Sequence, residues 1–419
     1  MRVLVVSHLW EPESGTPQRR WGWLTDSLVG AGHQVDVLAP PPHYPTGQLL
    51  DDSPRCAVGA VAPGRHGERI TRTAFRPHDP TLPSRMVDQM TTAASQVRIG
   101  SRLVQRHRPD IIVATAPPLP AATAAMTLGR RHHIPYVVDL RDVWPDLLEY
   151  MNQWAPTTGR NDPGNPLRRK VFRAAARAGG VSTNRAIHRA AGIITTTSSF
   201  SELLEERGIQ HTLTLRNLGA VRETSLPPVP EESPTLNVLY AGTTGRAQEL
   251  ENALRALAEV RERGADVRMR VVGSGAHLKT LRHNAGTLDV PVEFTGRVPF
   301  DQVMDHYRWA DTVLVHLQDW KPLDYTVPSK LYEVLELGRH ITLSVNGEAA
   351  QIVRAAQAGD AVPAMDREAL AQLWWELYHD RRRLQVGAGG RRWLASQGTP
   401  EENGRRFVEF LEGLADRAH

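Results

Sequence analysis

Lys330 is the residue of this 419-residue chain whose position most needs an explanation. It follows Pro328 and Ser329, which read as a helix start, so it falls in the first turn, where the helix dipole disfavours a cation. An anion held at that terminus removes the conflict, and a nucleotide diphosphate is such an anion. Glu333 is placed in the same turn, where the dipole favours an acid, so ordinary helix chemistry accounts for it. Upstream, LYAGTTGRAQELENAL reads as strand, glycine-rich turn and helix. The turn from Gly242 to Gly245 followed by Arg246 is suited to cradling a diphosphate, with backbone amides and a fork-shaped guanidinium sharing the charge. No Gly-Lys-Ser/Thr follows, so it is not a Walker A loop. VVGSGAHL supplies no dinucleotide fingerprint either, because His277 and Leu278 stand where the third glycine is sought.

In the first half, YVVDL leads into RDVWPD, gathering Asp139, Arg141, Asp142 and Asp146 at the end of an expected strand. Arg141 and Asp142 either serve a site there or neutralise one another. In the loop SHLWEPESGTPQRR, Gly15 either lets backbone amides approach an anion or relieves a tight strand-to-helix turn. Arg19 and Arg20, at the start of the next helix, oppose its dipole and call for solvation or an anionic ligand.

The elements that must position these groups alternate. VLVVS, HQVDVLAP, DIIVAT, YVVDL and GIITTT are short β-branched runs separated by helical patterns, including a long one near residues 85–107. The pattern restarts with LNVLYAG, VRMRVVGSG, VEFTG, TVLVHL and HITLSV. Continuous apolar strands between helices predict parallel sheets covered on both faces, hence an α/β class with two Rossmann-like doubly wound domains facing across a cleft. The expected boundaries are 1–224 for the first domain, 225–235 for a Pro and Glu-rich linker, and 236–395 for the second domain. Residues 396–419 form a helical segment packing back on the first. Ligands of such sheets lie outside the carboxyl ends of the strands, where the residues above fall.

No apolar run approaches the ~20 residues that span a bilayer, and the amino terminus reads as a strand, so a cytoplasmic location is expected. The single cysteine, Cys56, excludes an internal disulfide and a cysteine-based zinc cluster. Residues 1–225 carry 27 Arg and Lys against 19 Asp and Glu, whereas the remainder carries 23 against 27. The segment 160–190 holds Arg160, Arg168, Arg169, Lys170, Arg173, Arg177, Arg185 and Arg189 with one acid, Asp162, on a helical pattern. It is either a solvated face or a peripheral contact with an anionic membrane surface or acceptor. Interleaved aromatics and reader motifs are missing, so nucleic acid is not an expected partner.

Six segments in order, the Gly15 loop, DLRDVWPD, LYAGTTGRAQ, VVGSG, FTGRVP (Phe294 to Pro299) and PSKLYEVLELG with SVNGE, resemble glycosyltransferase family 4. The resemblance is strongest to the bacterial subgroup that elongates surface polysaccharides and decorates natural products. It implies the GT-B fold and a metal-independent, cofactor-free hexosyl transfer with retention of anomeric configuration. The donor is a nucleotide diphosphate-sugar, and the acceptor is a lipid-linked sugar, soluble metabolite or natural-product scaffold. By this resemblance Glu333 binds the donor ribose, Lys330 and Arg246 meet the diphosphate, and Arg297 and Val298 frame the nucleobase. Arg141 and Asp142 fall where the family has a histidine and an aspartate beside the transferred sugar, and Gly15 lies in the donor and acceptor loop.

The chain departs from the family in three places. Tyr325 occupies the position of the first glutamate of the family's pair, with Asp324 beside it as the displaced carboxylate. Thr243 and Gln248 stand where relatives carry Arg and Lys, and Arg141 replaces the histidine. Transfer develops negative charge on the leaving diphosphate, so cations there carry most of the burden. Retention implies attack on the face from which the leaving group departs. The rival readings are a nucleotide-sugar epimerase of the same architecture and a catalytically idle sugar-nucleotide binding protein.

Overall fold

The computed structural model describes residues 1–13, 15–79, 81–150, 166–218 and 226–417; the side chains of 166–169, 171–172 and 300–301 are also outside the description. Arg160 and Asp162 of the basic segment, the side chains of Arg168 and Arg169, and Ser225 of the expected linker therefore lie outside the described residues. The chain divides into two compact units, Met1–Asn217 with Thr399–His419, and Leu218–Gly398.

The first unit is built on β1 (Arg2–Val6), β2 (Gln34–Ala39), β3 (Val61–Pro63), β4 (Arg69–Arg72), β5 (Ile111–Ala116), β6 (Tyr136–Leu140), β7 (Gly192–Thr195) and β8 (Thr212–Thr214). Its helices are α1 (Thr16–Gly30), α2 (Leu82–Arg106), α3 (Pro120–His132), α4 (Pro166–His188) and α5 (Ser198–Glu206). The strands lie in the order β3-β4-β2-β1-β5-β6-β7-β8, and all neighbours are parallel except β3 and β4. Val3 and Val5 of β1 belong to a core with Trp21, Leu24 and Leu28 of α1, while the alternate residues Leu4 and Val6 are equally buried. Burial on both faces is why these strands read as unbroken apolar runs. On the face opposite α1, a Cβ added to Gly100 of α2 would stand 2.9 Å from side-chain carbons of both Leu38 and Leu128, so α2, β2 and α3 meet at that glycine.

The second unit comprises β9 (Leu236–Ala241), β10 (Val267–Val272), β11 (Val292–Gly296), β12 (Thr312–His316), β13 (His340–Ser344) and β14 (Gly359–Val362). Its helices are α6 (Glu251–Glu262), α7 (Leu278–Thr287), α8 (Phe300–Trp309), α9 (Ser329–Leu337), α10 (Glu348–Ala356), α11 (Arg367–His379) and α12 (Gly389–Ala395). The sheet is wholly parallel in the order β11-β10-β9-β12-β13-β14, the dinucleotide-fold order 3-2-1-4-5-6. Each sheet reverses direction of growth once, between β1 and β5 and between β9 and β12, and the crevice outside those strand ends is where ligands of such sheets sit.

Two expectations need correction here. The stretch after residue 225 is not a free linker: Leu226 and Val229 are buried, Arg381 donates to the Pro230 carbonyl at 3.0 Å and Gln385 to that of Val229 at 2.6 Å. Its proline-rich composition resembles a linker, but its apolar residues have a core to fill. The short strands β3, β4, β8 and β14 carry no readable alternation and were not expected. The last helix, α13 (Pro400–Asp416), starts on a capping box between Thr399 and Glu402 and belongs to the first unit. Its Phe407 meets Trp21 edge-on at 6.2 Å, and burying such a ring is worth about 1.5–3 kcal/mol. No helix among the described residues is long and apolar enough to cross a membrane.

Candidate functional site

In the second unit the carboxyl edge is a set of loops sewn together through their backbones. After β9 the Gly242 amide donates to Val272 and the Thr244 amide to Ser274, while the His277 amide returns to Thr244. The approach is close enough that a Cβ at Gly273 would stand 1.8 Å from the Gly242 carbonyl oxygen and one at Gly275 2.3 Å from that of Thr244. The glycines of VVGSG thus let two loops stack backbone on backbone. This corrects the expected cradle, because the amides of Gly242, Thr244 and Gly245 already have partners within the protein, the last being Gln248 Oε1 at 3.1 Å. What the turn offers instead is the half-buried side chain of Arg246. Burial first, and the Arg246 charge second, hold the nearby His277 imidazole below its ordinary pKa.

The β9 and β12 loops are joined as well. The Gln318 amide donates to Ala247 at 2.8 Å, and His316 places Nδ1 2.7 Å from the Gln248 carbonyl and Nε2 3.1 Å from Asn252 Nδ2. Burial pushes the His316 pKa down to about 4, so the ring is neutral. Gln318 also donates to Glu249, whose carboxyl is raised by burial and then by Glu251. Neither His316 nor Glu249 was singled out from the sequence; a histidine ending the apolar run TVLVH was the available signal.

Asp324 follows, paired with Lys321 at 2.8 Å. Its carbonyl oxygen lies where a Cβ of Gly347 would stand 1.8 Å away, and Gly347 has φ 67°, so the glycine of SVNGE is required to seat this turn. Then α9 starts after Pro328 with no side-chain cap, and the Leu331 amide closes back on the Pro328 carbonyl at 2.9 Å. Lys330 is not unaccompanied there: Nζ lies 2.8 Å from Glu333 Oε2. Glu333 lies one turn on and not in the first turn as expected, and the i,i+3 spacing brings the two charges together. Glu333 Oε1 is buried without a hydrogen-bond partner. Arg297 is exposed and Val298 half-buried just beyond β11, whose Gly296 carbonyl accepts from the Gly273 amide at 2.7 Å.

In the first unit, Gly15 precedes α1 with φ −175°, an extended conformation open to any residue, and Pro17 sets the first turn. Arg20 is neither solvated nor aimed at a ligand. It is buried, with Nε and Nη2 on the Asp139 carboxylate and Nη1 on the carbonyl of Leu215, and Trp21 Nε1 completes the set on Asp139. A buried acid from β6, 119 residues away, offsets the charge and removes the conflict with the helix dipole. Asp146 pairs with Arg207 at 2.6 Å, so it does not join Arg141 and Asp142. Arg141 and Asp142 each favour the charged form of the other, so the alternative that they offset one another stays open beside a site role. Arg141 donates to the Pro117 carbonyl at 2.5 Å and leaves Nε buried without a partner. Burial weakens its charge, opposed by Asp139 and Asp142. Burial pushes the Asp142 carboxyl above the usual carboxylate range, against the pull of Arg141.

Residues 15–217 match the family model described as Glycosyl transferase 4-like domain, and residues 235–380 match Glycosyl transferases group 1. Among curated proteins, the GDP-mannose-dependent alpha-(1-6)-phosphatidylinositol monomannoside mannosyltransferase of Mycolicibacterium smegmatis is 29% identical over 165 residues, 38% of this chain and 43% of that protein. The protein of the same name in Mycobacterium tuberculosis is 27% identical over 188 residues, 43% of this chain and 48% of its own length. These matches span less than half of either relative. Sucrose-phosphate synthase from Thermosynechococcus elongatus superposes with a TM-score of 0.71 at 16% identity, covering 99% of both chains. HepE of Anabaena, solved in complex with UDP-glucose, gives 0.63 at 13% identity over 99% of this chain and 100% of its own. At such identities the likeness is one of fold, and that fold is GT-B.

Proposed function

Since the chain belongs to glycosyltransferase family 4, we propose that it transfers a hexosyl group, with retention, from a nucleoside diphosphate sugar to an acceptor hydroxyl. The observation that carries this reading is the start of α9, where Lys330 pairs with Glu333 at 2.8 Å and Glu333 Oε1 is buried without a partner. A ribose hydroxyl satisfies Oε1, and Lys330 has three donors, so it can hold Glu333 with one and meet phosphate oxygens with others. Arg246 adds the second cation to the leaving diphosphate. Arg297 and Val298 frame the base, and Asp324 takes sugar hydroxyls in place of the family's glutamate. From the first unit, Gly15 is assigned to the donor diphosphate and Arg141 and Asp142 to the transferred sugar. Asp142, with its raised pKa, is the carboxyl suited to share the acceptor proton.

GDP-mannose is the donor to try first, because the curated relatives are named for it. Thermal shifts with GDP, UDP, GDP-mannose and UDP-glucose test the reading, followed by product analysis with and without acceptors. Stabilisation by a nucleoside diphosphate and acceptor-dependent release of it are expected. No shift with any nucleotide overturns the assignment, and conversion of donor to an epimer without acceptor replaces transfer by epimerisation. Lys170, Arg173, Arg177, Arg185 and Arg189 are exposed on or just after α4 beside Val181, itself 71% exposed, and form the surface that contacts anionic lipid. Co-sedimentation with anionic but not neutral vesicles checks that contact.

A further inference from the structure

The carboxyl edge of the first sheet carries a second constellation that the proposed transfer does not use. His8 follows β1, His43 lies after β2, His78 lies after β4, and Asp88 stands on α2. His8, His43 and Asp88 are 6%, 3% and 0% exposed, and one ligand atom from each lies within 4.8 Å of the other two. His8 Nε2 is 3.2 Å and His78 Nε2 3.9 Å from the same oxygen, Asp88 Oδ2. Oδ1 accepts from the Arg76 amide at 2.9 Å, and the buried Oδ2 faces the His8 imidazole.

The rings are oriented from behind. His43 Nδ1 sits 2.9 Å from the Pro41 carbonyl and His78 Nδ1 3.0 Å from that of Asp79. A carbonyl only accepts, so each Nδ1 carries the proton and each Nε2 keeps its lone pair, the arrangement that prepares imidazoles for a metal. The two loops are also fitted to one another. The His78 amide donates to the Gly47 carbonyl at 2.9 Å, and Gly47 has φ 74°, with a Cβ there 2.5 Å from the His78 ring. Glu13 holds the loop from the other side by accepting the Tyr44 amide at 2.8 Å.

We propose that His8, His43 and Asp88, with His78 as a fourth ligand at the rim, bind a divalent transition metal of the zinc class. Several imidazoles with one carboxylate suit such an ion and not magnesium or calcium, which take oxygen. Bonds of about 2.0–2.2 Å at a tetrahedral centre set ligand atoms about 3.3 Å apart, the spacing His8 and Asp88 already have. The metal ties the loops after β1, β2 and β4 to α2. It is structural, and stands apart from the transfer proposed above.

The test uses the full chain, stripped with a chelator and titrated with Zn²⁺ by calorimetry and with Co²⁺ by visible absorption. One equivalent per chain, tetrahedral Co²⁺ bands and a raised Tm with Zn²⁺ are expected. Asp88→Asn and His43→Gln should weaken binding about tenfold or more, and His78→Gln, at the half-buried rim where folding is least at risk, should weaken it measurably. Absence of saturable Zn²⁺ and Co²⁺ binding overturns the proposal. So does stoichiometric binding that is unchanged in His78→Gln and in whichever of the other variants keeps a native circular dichroism spectrum.

Discussion

Two ion pairs, one in each unit, show how the same chemistry is put to different uses. Arg20 and Asp139 have side chains 1% and 0% exposed, and Arg20 engages the carboxylate through two nitrogens while Trp21 donates as well. Lys330 and Glu333 are 39% and 22% exposed, meet through one contact, and leave a carboxylate oxygen unpartnered. The first pair is saturated, joining α1, β6 and the segment after β8, and has nothing left to offer a ligand. The second has spare donors and a spare acceptor at an uncapped helix start, the state expected of groups that wait for a substrate.

Breaking the saturated pair should have the largest effect. Asp139→Asn leaves the Arg20 charge buried without its partner, and a loss of about 3–5 kcal/mol in urea unfolding is expected. Arg20→Met combined with Asp139→Leu should lose less than either single change, because no uncompensated charge remains. Wild-type stability in Asp139→Asn would show the pair to be dispensable. Next comes His316, which joins the end of β12 to the segment after β9 through Gln248 and Asn252. Its folded pKa of about 4 lies below the unfolded value near 6.5, so as pH falls the unfolded chain takes the proton first. Stability from this group is complete above about pH 6.5 and falls by about 3 kcal/mol as pH drops to about 4. His316→Gln should flatten that part of the stability profile; an unchanged slope would mean that other groups carry it.

The exposed pair should respond in the opposite sense. Lys330→Ala is expected to change stability by no more than about 1 kcal/mol, as exposed pairs do. Loss of its charge-assisted contact with the diphosphate should cost about 1.5–3 kcal/mol, lowering kcat/KM roughly 10- to 150-fold. Denaturation and steady-state kinetics on the same preparation separate the two. A variant that melts early yet keeps wild-type specific activity would make this pair structural, like the first.

How much of this was legible in the sequence depends on distance along the chain. Strands such as β1, β5 and β12 announce themselves, because burial on both faces demands unbroken β-branched runs; RITR, TLT and GDAV at or near sheet edges do not. Lys330 and Glu333 stand out in the sequence as candidate site residues, and their pairing was available from the i,i+3 spacing. Arg20 was misread because its partner comes from β6, which no local pattern connects to α1. The function of Gly273 and Gly275 depended on a neighbouring loop, and the four residues of the histidine cluster come from four different segments. Contacts set by topology are the ones that local sequence does not reveal.

The finest discrimination concerns Glu333 itself. Glu333→Gln keeps the shape of the side chain and converts a charged acceptor into a neutral one, so stability should again move by no more than about 1 kcal/mol. A hydrogen bond to a carboxylate is worth about 1.5–3 kcal/mol and a neutral one about 0.5–1.5, which predicts a donor KM raised about fivefold with little change in kcat. Because the effect acts through the ribose, the wild type should prefer a ribonucleotide donor over its 2′-deoxy analogue, and that preference should shrink in Glu333→Gln by about the same factor. Lys330 sharpens the test. If Glu333 served only to hold Lys330, Glu333→Gln would depress use of both donors equally and the ribo to deoxy ratio would stay at its wild-type value. A ratio that collapses while Lys330→Ala leaves it intact assigns the ribose to Glu333 and the diphosphate to Lys330, dividing between two side chains what the ion pair holds together.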